Sequence, residues 1–593
     1  MRKITNWKES GIRGVWFTSA LFASLAVIFI LGYLLITALP AFLEVGIFDF
    51  LFGTEWNPTG STPSYGIGAL IVGTLLVTAG AMLIAVPLGL LTAVFLAYAA
   101  PKKLRDAVKP AVELLAGIPS VVYGFFGMLV LCSFLQKTLD IPSGFSWAAA
   151  SVILGIMALP TIVSVSEDAL SAVPKDFREA SLGLGATRTQ TIFCVLLPAA
   201  ASGISAAVVL GMGRAIGETM AVMMVAGNSA IIPSPLWDVL SPIRTLTATL
   251  GIELAEVSAG SMHYHALFGI AVILLVITLL VNLASRFVTK RIEQGKPLFT
   301  LPSLPSLPIR ISPRITEKAA FAGIYLGTFA VLAVLAVILG NIFINGIPAV
   351  TWEFLTESPK DLGRAGGIFP AIIGTLELVF GAILIALPIG IGAAVYLNEY
   401  AGNSRITSLL RTGIDLLSGT PSIVFGVFGF AFLVLFLGWG ISLLAGMICL
   451  ALMILPTIIK TTEEALKAVP QSLREASFGL GAARSQTILR VVLPAAASGI
   501  ITGAVLSLGR AAGETAPIMF TAVVFSKRFI TPDLFEPVMA LPFHLYVLTT
   551  SVPNTEPQQY ATAVVLSVWL RFSISLPQYC AKNFRKIFHD TNT

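Results

Sequence analysis

The sequence predicts an all-α polytopic membrane protein of about twelve spanning helices in two six-helix halves. Three observations carry that expectation. The 593 residues are 56% apolar and only 11% charged, with a mean hydropathy of +0.89, whereas a soluble domain carries about 25% charged residues. Apolar runs of spanning length recur along the whole chain. The second six repeat the first.

The first six runs fall near residues 15–43, 66–98, 111–135, 146–166, 191–227 and 266–287, each near or above the ~20 residues a span requires. Run 15–43 is too long for the apolar stretch of a cleavable signal, so it reads as a span. Six more runs fall near 319–345, 368–397, 413–437, 440–459, 487–525 and 561–577. Between the two sets lies KRIEQGKPLFTLPSLPSLPIRISPRITEK, basic and Pro-rich. Regularly spaced Pro favours an extended spacer over a helix. The expected organisation is a first half at 1–287, a linker at 288–317 and a second half at 318–593.

The net charge of +6 does not point to nucleic acid, because the excess Lys and Arg sit in short loops between apolar runs. MRKITNWKESGIRG, PKKLRDAVK and SRFVTKR are basic, while loop 44–65 has three acids and neither Lys nor Arg. By the positive-inside rule both termini are cytoplasmic, and loop 44–65 is outside. NSRITSLLR and NFRK place the second half alike, although Lys360, Arg364, Lys527 and Arg528 blur its outer loops. Ala561 to Pro577 is a run of only 17 residues, interrupted by Arg571. If it does not span, the C-terminus is outside.

Cys132, Cys194, Cys449 and Cys580 show no paired spacing and read as core or lipid-facing residues. His263, His265, His544 and His589 make no metal motif, and the first two read as a loop pair. No metal site and no catalytic constellation is expected.

REASLGLGATRTQTIFCVLLPAAASGI (178–204) and REASFGLGAARSQTILRVVLPAAASGI (474–500) share 21 of 27 positions at an offset of 296. GIPSVVYGFFG (117–127) answers GTPSIVFGVFG (419–429) at an offset of 302. An even number of spans per half makes these parallel repeats, related by a pseudo-two-fold axis along the membrane normal.

Two constellations repeat with them. After Pro174 and Pro470, short segments suit a small cytoplasmic helix, with Gly185 and Gly481 for a sharp turn at its end. Thr187 or Thr189, and Ser485 in the second half, suit the cap of the next helix. Pro119 and Pro421, inside apolar runs, should break or kink them. The second constellation is GRAIGETM (213–220) and GRAAGETA (509–516). Arg214 lies about 24 Å along a helix from Pro198, near mid-membrane, where a charge faces the bundle interior or a water-filled cavity. Arg and Glu four apart share one helix face and can pair. Gly211, Gly213, Gly217, Gly509 and Gly513 allow close helix approach or leave space beside the Arg.

One reading of these charges is an ion pair fixing helix packing. The other is an anion pathway lined by Arg214, Glu218 and Thr219 with Arg510, Glu514 and Thr515, since guanidinium forks match tetrahedral oxyanions. The Glu would temper the Arg charge for release, or accept a hydrogen bond from a protonated substrate oxygen. Phosphate carries a proton at neutral pH and sulfate does not, so this chemistry favours phosphate.

Glu179-Ala180-Ser181-x3-Gly185-x9-Val195-x-Leu197-Pro198 resembles the EAA loop of ABC-importer permeases, as does Glu475-Ala476-Ser477-x3-Gly481-x9-Val491-x-Leu493-Pro494. Both have Ser for the second Ala and Val for Ile. GRAIGETM beside GIPSVVYGFFG resembles the C permease of the phosphate-specific ABC importer, and GRAAGETAPIMFTA beside LSGTPSIVFGVFGF its A permease. The resemblance implies a type I (MetI-like) permease fold and two permeases fused through the linker. It also implies EAA loops that dock a separate ATPase, two copies being expected, and an extracytoplasmic phosphate-binding protein that delivers inorganic phosphate. The chain has no phosphate-loop motif, so no cofactor is expected on it; ATP and Mg belong to the partner. Alternatives are a sulfate, molybdate or phosphonate permease, an ATP-independent anion channel or ion-coupled carrier, and a regulatory scaffold acting through partners.

Overall fold

The computed structural model describes residues 2–293, 313–402, 404–527 and 533–569. The linker falls largely outside them, as do Arg528, Arg571, Pro577, Cys580 and His589. Among the described residues nine helices are long and apolar enough to cross a membrane, and eleven if two bent pairs each count as one span. The twelfth run is helical over 556–569, where the description stops. The only strands among the described residues are two two-residue hairpin pairs. The protein is therefore an all-α polytopic membrane protein.

The helices start where the sequence provides caps. The Ser146 and Ser442 hydroxyls accept from the amides of Ala149 and Ala445 at 3.3 and 3.4 Å, opening Trp147–Ser171 and Leu443–Lys467. Pro119 and Pro421 sit just before the first turns of Ser120–Phe126 and Ser422–Gly429. Thus the apolar runs at 111–135 and 413–437 are not straight spans. Each begins as an amphipathic helix, Lys102–Ala116 or Arg405–Ser418, then turns at GIPS or GTPS into the crossing segment; the second turn is bent by 95°. A helix ends before a proline because the residue ahead of Pro is pushed out of the α region.

The chain packs as two compact units. One comprises Val45–Ile252 with Ile273–Ile344; the other comprises Met1–Glu44, Glu253–Val272 and Asn345–Thr593. Each thus combines the core of one repeat with an opening helix from the other half of the sequence. In the unit containing the second repeat, Phe29 of Arg2–Glu44 meets Phe428 and Phe432 edge-on, with ring centroids 5.6 and 4.9 Å apart. The Tyr33 hydroxyl donates to the Ala431 carbonyl at 3.2 Å. In the other unit, Tyr325 of Pro313–Gly346 packs edge-on against Phe95 at 5.3 Å.

Within each unit the crossing helices approach closely at matched glycines. A Cβ on Gly203 would lie 2.4 Å from the Ala169 Cβ, and one on Gly499 2.6 Å from the Ala465 Cβ. Lipid supplies no hydrophobic drive for helix association, so such small-residue contacts carry the packing. Matched π-helical segments also recur, Phe95–Ala99 with Tyr396–Tyr400 and Thr191–Leu196 with Ile488–Val492. They widen the helix locally and re-aim the side chains at the ends of the spans.

The histidine pair is not in a loop. His263 and His265 occupy the first turn of Met262–Glu293, where His263 Nε2 lies 2.7 Å from Glu253 and His265 Nδ1 lies 2.6 Å from the Thr37 carbonyl. Cys132 and Cys449 are buried and Cys194 is exposed.

Candidate functional site at the paired helix breaks

The helix carrying Arg214 runs from Ala201 to Gly217 and stops. Glu218 is extended (φ −75°, ψ 130°), Thr219 follows, and a new short helix opens at Met220. The second copy does the same: Leu493–Gly513 ends, Glu514 is extended (φ −84°, ψ 136°) and Ala516–Met519 begins. Arg and Glu are therefore not one helical turn apart on a continuous face, as their spacing alone suggests. The break frees backbone groups at the end of an apolar helix, where protein or water must receive them.

In the first copy the break is tied down by neighbours. The Thr247 hydroxyl donates to the Glu218 carbonyl at 2.9 Å. The Glu218 carboxylate accepts from the Ala221 amide at 3.5 Å and lies close to the Ser120 side chain. Ser120 is the serine of GIPS, so the turn that starts one crossing helix stands beside the carboxylate that ends another. Arg214 lies within electrostatic reach of Glu218 and of the buried Tyr123, whose hydroxyl donates to the Leu115 carbonyl at 2.7 Å.

In the second copy Arg510 Nε lies 4.0 Å from Glu514 Oε1, and its Nη1 donates to the Thr457 hydroxyl at 3.4 Å. The Arg510 side chain remains 43% exposed. Thr219 and Thr515 are buried in both copies, and their hydroxyls have no hydrogen-bond partner among the described residues.

The two short segments predicted between spans are helices of nine residues each, Lys175–Gly183 and Gln471–Gly479. Pro174 and Pro470 precede them, and Gly185 and Gly481 turn the chain afterwards at φ +84° and +82°, a region open to glycine at no steric cost. Glu179, Ala180, Glu475 and Ala476 are exposed. Leu184 and Leu480 stand 90% and 91% exposed beside them.

The serines that replace the second alanine point inward. Ser181 and Ser477 bond the hydroxyls of Thr191 and Thr487 at 3.0 and 2.9 Å, fastening each short helix to the π-helical start of the next span. Thr187 caps that next helix in the first half, in a reciprocal box with Gln190. Ser485 does not cap its helix from within. Its amide and hydroxyl instead donate to Glu9 at 2.9 and 2.7 Å, so a carboxylate from the first helix does that work.

Sequence reasoning missed Ser120, Thr247, Thr457 and Glu9. It also missed two matched ion pairs at the inner ends of the spans. Lys109 pairs with Glu167 and Arg411 with Glu463, both at 2.5 Å, the cations related by an offset of 302 and the acids by 296. Matched charges at the repeat offsets were the signal available. The hydrogen bond that the Lys109 ammonium donates to Glu167 raises the Lys109 pKa above its ordinary value. Asp415 pairs with Lys460 of Leu443–Lys467 at 3.1 Å.

Broken, charge-bearing spans joined to exposed short helices on one side define a polytopic permease core. The chain belongs to the family of binding-protein-dependent transport system inner membrane components, which residues 85–295 and 386–570 match. It is 41% identical over 271 residues to the Bacillus subtilis protein named probable ABC transporter permease protein YqgH, covering 45% of this chain and 86% of that protein. It is 38% identical over 265 residues to the Mesorhizobium japonicum phosphate transport system permease protein PstC, covering 42% of this chain and 79% of that one. A Mycoplasma pneumoniae protein named phosphate transport system permease protein PstA homolog is 27% identical over 584 residues, covering 89% and 88% of the two chains.

Proposed function

We propose that this chain is the fused permease of an ATP-driven importer of inorganic phosphate, its first half C-like and its second half A-like. The observation that carries the reading is the duplicated break at Arg214–Thr219 and Arg510–Thr515, which sets a guanidinium and a carboxylate beside unwound backbone where a spanning helix stops. The relatives named as phosphate permeases support the choice of anion.

In this mechanism Arg214 and Arg510 bind phosphate oxygens through their planar forks. Glu218 and Glu514 accept a hydrogen bond from the protonated phosphate oxygen and keep the anion from being trapped. Ser120 and Thr247 hold the Glu218 break in place and so fix where that carboxylate stands. Thr219 and Thr515 line the pathway once the bundle opens. Glu179, Ala180 and Gly185, with Glu475, Ala476 and Gly481, present the docking surface for a separate ATPase, one copy per short helix. Ser181 and Ser477 transmit its movement to the following spans. ATP and Mg are bound by that partner, phosphate arrives from an extracytoplasmic binding protein, and both termini are cytoplasmic.

The test is ATP-dependent uptake of radiolabelled phosphate into proteoliposomes containing the chain, its ATPase and its binding protein. Uptake that persists in excess sulfate, molybdate or phosphonate supports the reading. Block by one of these anions would reassign the substrate, and uptake without ATP would remove the chain's role in an ATP-driven importer.

A further inference from the structure

At the inner end of the second repeat, two arginines are fully engaged. Arg474 is buried and donates to Glu399 at 2.7 Å and to the Leu466 and Val469 carbonyls at 2.9 and 2.7 Å. Arg484 lies over the Tyr400 ring, 4.9 Å from its centroid. Glu399 and Tyr400 close the π-helical segment Tyr396–Tyr400.

The corresponding segment of the first repeat, Phe95–Ala99, ends in Tyr98 and Ala99. Arg178 and Arg188, the counterparts of Arg474 and Arg484 at an offset of 296, therefore lack both the acid and the ring. Among the described residues neither forms an ion pair. Instead they line a hollow of 470 Å³ with Lys318 and Glu317. Its other wall is Phe321, Tyr325, Ile192 and Leu196. Nearby, the buried hydroxyl of Thr189 has no hydrogen-bond partner among the described residues, whereas its counterpart Ser485 is held by Glu9.

We propose that this hollow binds an anionic phospholipid, with the headgroup phosphate on Arg178, Arg188 and Lys318 and an acyl chain along the aromatic and aliphatic wall. Three cations against one acid give the polar side a net positive charge. The hollow lies at the end of a span on the face that carries the basic loops, where a basic pocket between helices meets anionic headgroups. A cation cluster alone would serve a free anion equally well. The continuous apolar wall is what selects a lipid, because it offers a chain about the contact area that water would otherwise cover. The bound lipid would anchor the short helix Lys175–Gly183, which carries Arg178, to the inner leaflet. In the second repeat the Arg474–Glu399 pair does that from within.

The test is native mass spectrometry of the detergent-solubilised full chain, titrated with phosphatidylglycerol or phosphatidylcholine. One phosphatidylglycerol should be retained in preference to phosphatidylcholine. Arg178→Gln with Arg188→Gln should weaken it about thirty-fold, at ~1 kcal/mol per basic residue. Tyr98→Glu, which supplies the carboxylate of the second repeat without removing a cation, should weaken it in the same direction, and Glu317→Gln should tighten it. Equal retention of both lipids, or unchanged phosphatidylglycerol binding in the double variant and in Tyr98→Glu, would overturn the proposal. Displacement of the lipid by millimolar inorganic phosphate would make this a free-phosphate site and overturn the lipid assignment.

Discussion

The two repeats agree where the helices break and differ where the short helices meet the spans. At the breaks both copies have Arg, then Gly, an extended Glu and a buried Thr. At the inner end, the second repeat neutralises Arg474 with Glu399, while the first leaves Arg178 on an open hollow. The fold therefore does not need the Arg474–Glu399 pair to place a nine-residue helix between the spans, since Lys175–Gly183 forms without it. Within the second repeat, however, that pair has become a buried charge that cannot lose its partner.

Substitutions can break or sharpen this comparison. Glu399→Ala should have the largest effect, because it strands the buried Arg474 guanidinium; breaking a buried pair costs about 3–5 kcal/mol. Tyr98→Phe at the matching position removes only a hydrogen bond to the Leu170 carbonyl, worth about 1 kcal/mol. Thermal unfolding of the purified chain should separate the two variants clearly, and equal shifts would erase the distinction between the two inner ends.

Next in size is Ser120→Ala. It removes the hydroxyl beside the Glu218 carboxylate, worth up to about 1.5 kcal/mol, and should lower phosphate uptake about ten-fold without loss of ATPase binding. Full uptake would mean the GIPS turn does not position Glu218. Ser181→Ala and Ser477→Ala should each cost about 1 kcal/mol and should match one another, since their bonds to Thr191 and Thr487 are alike. A marked inequality would show that the two docking helices are held differently despite that likeness. The smallest effect expected is from Tyr400→Leu, which removes the ring beneath Arg484. About 0.5–1 kcal/mol is at stake at such a partly exposed site, read as a small drop in melting temperature.

Much of this arrangement is legible in the sequence, because it depends on local chemistry. Gly185 and Gly481 announce their turns, Pro119 and Pro421 their breaks, and the repeat announces itself. The interruption of the helix at Glu218 and Glu514 is harder to read. A spacing of four between Arg and Glu fits a continuous helix equally well, and the choice is made by partners distant in sequence, Ser120 and Thr247. Glu9 shows the same limit. Nothing near it in the chain explains a carboxylate there, and its role appears only when Ser485, far along the sequence, is brought to it. The substitution of Ser for the second Ala in the EAA pattern looks mild on paper. Its purpose is visible only once Thr191 and Thr487 stand opposite.

The central claim is that the paired breaks form the anion pathway, and its most direct test replaces both guanidinium groups. Phosphate uptake should be measured with Arg214→Gln and Arg510→Gln combined, and with Arg214→Lys and Arg510→Lys combined, while binding of the ATPase is followed separately. The account predicts collapse of uptake in the Gln pair and partial recovery in the Lys pair, which keeps the charge but loses the fork, with ATPase binding unchanged in both. Undiminished uptake in the Gln pair would contradict it and return both breaks to helix packing.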